Sequence, residues 1–239
     1  MILRKADVGS LQQKIGLELS ARPYSELLER DRRAAQAVRA WLRGHDIAFM
    51  GRAGELTPPV WIARKFRWGP HAWPVYWDDV AAMPALDCGA MAALTTEVVR
   101  MRGQAAFPMQ LVLRFTERTV RHWTALWRRN GQADIRWCSG IYAYHEATGI
   151  PDARGRMRIW DPLGRFWLPV VSNPGIEGVV ALRFHAEPGH EAQSCWMANE
   201  PVQSGVWYAV TGGTRPSKAA PARAFPDRWE SRVQPQARG

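Results

Sequence analysis

Cys88 lies between an acid and a glycine, in the segment Asp87-Cys88-Gly89, directly before a run of residues with helical periodicity. The dipole and the unpaired N–H groups at a helix N-terminus favour negative charge, so a cysteine at that position is biased toward the thiolate. A thiolate attacks carbonyl carbon atoms, and such a nucleophile needs a base close to it. Cys88 is therefore a candidate nucleophile.

His145 is the best placed of the six histidines to act as that base, because it lies in SGIYAYHE, a segment with the composition of a β-strand. Asp161 follows His145 by 16 residues, in a second strand-like segment, RIWDP. A hairpin with its turn centred on Ala153 would put the two side chains directly opposite each other, with Cβ atoms about 4.5–5.5 Å apart. We predict that Asp161 orients His145 and that His145 activates Cys88.

The order of these elements resembles that of a known superfamily. A cysteine that opens a helix, a histidine on a later strand and an aspartate on the next strand are arranged as in papain-like cysteine enzymes of the transglutaminase-like branch. Asp87-Cys88-Gly89, and Asp161-Pro162 with Gly164 after it, also resemble motifs of the bacteriocin-processing cysteine peptidases, which remove leader peptides after a double glycine. The likeness covers about residues 86–168.

This resemblance implies an α+β fold in which the nucleophile helix packs against an antiparallel β-sheet. It also implies three roles, with Cys88 as the nucleophile, His145 as the base and Asp161 as the orienting acid.

The donor that would stabilise the oxyanion departs from the papain-like pattern. Those enzymes carry a glutamine about six residues before the cysteine, whereas DDVAAMPALD contains none. Transglutaminase-like enzymes use an upstream tryptophan, so Trp73 and Trp77 are candidates here, and we choose Trp77. The backbone N–H of Cys88 would be the second donor.

Each candidate residue also has a structural interpretation. Cysteine is among the most buried residue types, a strand histidine often has only a structural partner, and an aspartate before proline is a common turn residue. Cys138 and Cys195, which adjoin Trp137 and Trp196, are predicted to be core residues. The combination of the three candidates in one order favours a catalytic triad.

We predict no cofactor and no metal. Three cysteines without a CxxC spacing indicate neither a disulfide framework nor a zinc site. The segment HAEPGHE places two histidines, His185 and His190, beside glutamates, but a turn of this kind rarely fixes a metal site by itself.

The composition is that of a folded protein, since 46% of the 239 residues are apolar and 13 are tryptophan. No stretch reaches the roughly 18 apolar residues of a membrane span, and the N-terminus lacks the apolar region of a secretory signal, so we expect a cytoplasmic location. The net charge of +10 comes almost wholly from arginine and favours acidic partners.

Three helices and an antiparallel sheet are predicted. The first helix covers residues 24–43, the second is an amphipathic helix that starts at Cys88 and ends before Gly103, and the third covers about Thr116–Arg129. Residues 51–84, rich in proline, glycine and tryptophan, are predicted to be irregular. The strand-like segments are SGIYAYHE, GRMRIWDP, RFWLPVV, VVALRF and GVWYAV.

These elements suggest three parts of the chain. Residues 1–50 would form an N-terminal helical extension, residues 51–213 a papain-like catalytic core, and residues 214–239 a flexible basic tail rich in proline.

The predicted chemistry is attack of Cys88 on an amide or thioester carbonyl, as in a cysteine peptidase or amidase, on a peptide or acyl-carrier substrate. Attack of an amine on the acyl-enzyme would instead make the protein an amide-forming acyltransferase, and the sequence does not separate the two. A different class, a basic nucleic-acid-binding module that uses Arg128, Arg129 and Arg136, is the third alternative. No nucleic-acid-binding motif accompanies it, and the sequence leaves the oligomeric state open.

Overall fold

The computed structural model of the chain describes residues 2–19, 67–68, 85–129, 138–154, 156–161, 166–168, 175–184, 194–195 and 202–211, and five positions between 29 and 40. The helices are α1 (Val8–Ile15), α2 (Cys88–Met101) and α3 (Glu117–Arg129). The strands are β1 (Ile2–Lys5), β2 (Arg67–Trp68), β3 (Ala85–Leu86), β4 (Phe107–Phe115), β5 (Cys138–Ser139), β6 (Tyr142–Pro151), β7 (Arg156–Asp161), β8 (Phe166–Leu168), β9 (Ile176–Phe184), β10 (Ser194–Cys195) and β11 (Tyr208–Thr211).

The protein has an α+β fold built on a nine-stranded sheet with the order β1-β11-β9-β4-β6-β7-β10, in which β5 also pairs with β6 and β8 with β7. All pairs in this sheet are antiparallel except β7 with β10, which is parallel. The prediction of an antiparallel sheet is therefore confirmed, and each of the five strand-like segments contains a strand. The long strands β4, β6 and β9 form its centre.

The central strand β4 is covered on both faces. Leu111 and Leu113 belong to the core beneath α3, where the ring of Trp123 meets Phe115 edge-on, with ring centres 5.0 Å apart. Val112, from the other face, packs with the apolar side of α1. Because both faces are buried, β4 lacks the alternation of apolar and polar residues that marks a half-exposed strand, and the sequence did not predict it.

The N-terminal residues are part of the sheet. β1 pairs with β11, and Leu3 lies in the main core. α1 ends at Gly16, whose φ of +67° is the left-handed conformation that suits glycine, and a Cβ there would lie 2.5 Å from Ser139 Oγ. The predicted division at residue 50 therefore does not separate residues 2–19 from the core.

Helix α2 differs from its prediction in one respect. As predicted, α2 starts at Cys88, and Gly103, with φ +81°, follows its end. The difference is that its polar side is buried as well as its apolar side. Residues 91–99 are all buried, including Thr95, Thr96 and Glu97. The threonine hydroxyls are buried together with their hydrogen-bond partners, so the polar side of the helix tolerates the same burial as the apolar side.

Several predictions fall outside the described residues. Within the predicted helix 24–43, five described positions are helical and exposed. Their helical spacing agrees with the solvent-facing side of a helix. These positions are Glu29, Arg32, Arg33, Gln36 and Ala40. Nearly all of 51–84 and all of 214–239 lie outside the described residues.

The predicted helix α3 is confirmed, with the bounds Glu117–Arg129. No helix formed by the described residues is long and apolar enough to cross a membrane.

Candidate active site

Cys88 is the first residue of α2, and the residue before it is the helix cap. Asp87 Oδ1 accepts a hydrogen bond of 2.7 Å from the backbone N–H of Ala90, and Asp87 has the extended backbone of an N-cap. Within the helix itself, the N–H groups of Cys88 and Gly89 have no carbonyl acceptor. The thiol of Cys88, which is partly exposed, therefore lies at the positive end of a helix dipole.

His145 and Asp161 form a buried pair. His145 Nε2 lies 2.8 Å from Asp161 Oδ2, and the two residues are 7% and 3% exposed. This contact agrees with the prediction that Asp161 is the partner of His145. Since Asp161 occupies Nε2, the ring nitrogen left for Cys88 is Nδ1.

The predicted register of the hairpin is wrong by two residues. Thr148 pairs with Trp160, so the turn is centred on Arg154 and not on Ala153. Continuing this register places Asp161 opposite Ala147, two positions from His145 on the same face of the sheet. The pair is thus a diagonal one, across a distance that long side chains still span.

Cys88 and Asp161 both act on the charge of His145. Burial alone would lower the pKa of His145, but the Asp161 carboxylate, through its charge and its hydrogen bond, and the hydrogen bond and charge of Cys88 raise this pKa well above its usual value. The imidazolium is therefore the favoured form near neutral pH. An imidazolium is the kind of group that stabilises a neighbouring thiolate in cysteine enzymes.

Helix α2 is hydrogen-bonded to β6, the strand that carries His145. Thr148 Oγ1 donates to the carbonyl oxygen of Ala92 at 3.1 Å, and Thr96 Oγ1 lies 3.2 Å from Thr148 Oγ1. Both threonines are fully buried. These residues were not singled out in the sequence, because isolated threonines on a helix and on a strand carry no functional pattern.

Cys138 is a free cysteine on β5. Burial raises the pKa of the Cys138 thiol, although its Thr124 contact, with Oγ1 and Sγ 4.0 Å apart, and the charge of Arg128 oppose this. Cys138 is partly buried and packs against the main core, so it lies at the edge of the core and not within it as predicted. Cys195 lies in β10.

Other predicted sites lie elsewhere. Trp73 and Trp77, the candidates for the oxyanion donor, fall outside the described residues, as do His185 and His190. Among the described residues, no group of three or more histidine, cysteine, aspartate or glutamate side chains is placed to hold a metal ion.

The geometry thus brings together a thiol at a helix N-terminus, an imidazole and a carboxylate. With the imidazole between the carboxylate and the thiol, the imidazole can take the proton of the thiol and can later give it to a leaving group. No model of a known protein family matches the chain, and a search of curated proteins finds no match either.

Proposed function

We propose that the protein is an enzyme of papain-like type that forms an acyl-thioenzyme on Cys88 from an amide or thioester carbonyl. One observation carries the proposal: the buried His145–Asp161 pair, 2.8 Å apart, contacts a cysteine at the start of a helix. Burying a charged pair costs free energy of desolvation. Such buried, perturbed charges are concentrated at functional sites, and a thiol at a helix start beside this pair is a group on which the charge can act.

The proposed reaction assigns one role to each of these three residues. His145 holds the proton of the Cys88 thiol, and the thiolate attacks the carbonyl carbon, forming a C–S bond. As the tetrahedral intermediate collapses, the C–N or C–S bond of the substrate breaks and His145 gives its proton to the leaving amine or thiol. Asp161 keeps the imidazole oriented and stabilises its charge throughout.

The second half of the reaction decides the class of enzyme. His145 takes a proton from water, the resulting hydroxide attacks the acyl carbon, and the C–S bond breaks with return of the Cys88 thiolate. This course makes the protein a cysteine peptidase or amidase, which is our primary proposal. If an amine attacks in place of water, the product is a new amide and the enzyme is an acyltransferase.

The oxyanion of the intermediate needs donors. The backbone N–H of Cys88 has no acceptor within α2 and lies beside the reacting thiol, so it supplies one donor. Trp77 remains the candidate for the second.

The surface charge supports an acidic substrate. Helix α3 exposes the four arginines Arg118, Arg121, Arg128 and Arg129, and the chain carries a net charge of +10. We propose a peptide or an acyl carrier with acidic groups as the natural substrate class.

The test is the capture of the acyl-enzyme. The protein is mixed with a p-nitrophenyl ester, nitrophenol release is followed, and the modified peptide is mapped by mass spectrometry. A burst of nitrophenol with the acyl group on Cys88, absent in Cys88→Ala, supports the proposal. Acylation spread over surface lysines, or an unchanged burst in Cys88→Ala, refutes it. Adding a lysine-containing peptide then distinguishes hydrolysis from amide formation by the product.

A further inference from the structure

A short chain of hydrogen bonds joins α2 to β6 at the candidate active site. The carbonyl oxygen of Ala92 can only accept, so the hydroxyl proton of Thr148 is used in that bond. The 3.2 Å bond between the two hydroxyls must then be donated by Thr96 to Thr148. The direction of both bonds is fixed, and neither buried hydroxyl keeps an unused proton.

The residues that form these hydrogen bonds are only a few positions from Cys88 on α2 and from His145 on β6. Ala92 follows Cys88 by four residues, about one helical turn or 6 Å along the axis of α2. Thr148 follows His145 by three residues on β6. Within a helix or a strand such short segments are rigid, so a bond between Thr148 and Ala92 restrains the position of the thiol relative to the imidazole.

The helix does not need this bond for its own stability. Thr95, the neighbour of Thr96, donates to the carbonyl of Met91 four residues earlier at 2.7 Å. Thr96 stands in the same relation to Ala92, so without the Thr148 hydroxyl it can turn to the Ala92 carbonyl. Loss of the Thr148 hydroxyl would therefore remove the link between the elements while every remaining hydroxyl kept a partner.

We propose that Thr148 is a positioning residue of the acyl-transfer site, which holds the Cys88 thiol in register with His145 through its hydrogen bond to the Ala92 carbonyl. This inference rests on the proposed function. Thr148 acts through the placement of α2 on β6, by way of its bond to the Ala92 carbonyl.

The experiment measures the rate of alkylation of Cys88 by iodoacetamide as a function of pH, with the modified residue identified by mass spectrometry. In Thr148→Val, which keeps the shape and removes the hydroxyl, we expect the rate at about pH 6 to fall by about tenfold, equivalent to about 1.4 kcal/mol. In Thr148→Ser, which restores the hydroxyl, the profile returns to within about twofold of wild type, because it is the hydrogen bond that sets the register.

Thr95→Val is the matched control. It removes an equally buried hydroxyl from the same helix, but one whose bond stays within α2. A role in stability alone would give Thr148→Val and Thr95→Val the same alkylation profile, and that result would overturn the inference. If Thr148→Val does not fold, Thr96→Val is used in its place. Because Thr96 donates the hydrogen bond that orients the Thr148 hydroxyl, we expect the alkylation rate of Cys88 to fall by about two- to threefold. An unchanged rate would equally overturn the inference.

The failure of the inference differs from the failure of the proposed function. If wild-type Cys88 reacts no faster than Cys138 at about pH 6, the proposed site itself is wrong. If wild-type Cys88 reacts rapidly and Thr148→Val matches it, the site stands and Thr148 has no positioning role.

Discussion

The carboxylate of Asp161 is the group whose replacement gives the most informative change. In Asp161→Asn, the amide oxygen can still accept a hydrogen bond from His145 Nε2, but the negative charge 2.8 Å from the ring is lost. A charge-assisted hydrogen bond contributes about 1.5–3 kcal/mol and a neutral one about 0.5–1.5 kcal/mol. The difference alone destabilises the imidazolium by about 1 kcal/mol or more.

The attraction between the two charges gives a second, independent estimate of the same loss. At 2.8 Å and an effective dielectric constant of about 20, two unit charges attract by about 6 kcal/mol, most of which offsets the desolvation of the pair. An opposite charge at this range shifts a pKa by about one to three units. We therefore expect the pKa of His145 to fall in Asp161→Asn, because the charge and the hydrogen bond of Asp161 both raise it.

The assay is an NMR titration of labelled His145. Cys88→Ala is compared with Cys88→Ala/Asp161→Asn, so that titration of the thiol does not contribute. A fall in the pKa of His145 of less than about 0.3 units would refute the claim that Asp161 sets the charge of the ring. With Cys88 intact, ester turnover in Asp161→Asn should fall by about 10²–10⁴, since an amide that turns its NH₂ to the ring also selects the wrong tautomer.

Three further changes probe the elements around the site. Gly149→Ala places a Cβ 2.7 Å from Met157 Sδ and 3.0 Å from Met109 Sδ, so overpacking should lower the free energy of unfolding by about 1–3 kcal/mol, measured by urea denaturation; no loss would show that the methionines move aside. Asp87→Ala removes the N-cap of α2 and should cost about 1 kcal/mol in the same measurement, whereas Asp87→Asn, which keeps a cap, should cost less; equal losses would contradict the capping role. The raised pKa of His145 implies that the folded state binds more protons than the unfolded state above about pH 6.5. In Cys88→Ala the free energy of unfolding should thus fall as pH rises from about 6.5 through the folded pKa, by up to about 1.4 kcal/mol per unit. This loss should be absent in Cys88→Ala/His145→Gln, and an identical slope in both would contradict the assignment.

The local elements of the site follow from sequence, and their mutual register does not. Helical spacing after Cys88 and the strand-like composition around His145 predict α2 and β6, since both patterns depend on neighbouring residues. The residue at the centre of the hairpin depends on the turn conformation, so the predicted centre at Ala153 missed the observed one at Arg154. The diagonal reach of the Asp161 side chain makes up for the shift.

Contacts between distant segments were not predictable in the same way. Thr148 and Ala92 are 56 residues apart, and nothing in either segment marks a bond between them. β4 escaped prediction because burial on both faces removes its alternation, and β1 because a four-residue strand with two basic residues gives little signal. In each case the packing of remote elements decides the structure.

The central claim is that His145 makes Cys88 reactive. Its most direct test compares the alkylation rates of Cys88 and Cys138 by iodoacetamide at about pH 6, in wild type and in His145→Ala, with both cysteines read in one sample by mass spectrometry. Because an ordinary thiol with a pKa near 8.5 is less than about 1% ionised at that pH, we expect Cys88 to react at least about tenfold faster than Cys138 in wild type. In His145→Ala, the rate of Cys88 should fall to about that of Cys138. Equal rates in wild type, or a fast Cys88 that is unaffected by loss of His145, would contradict the claim.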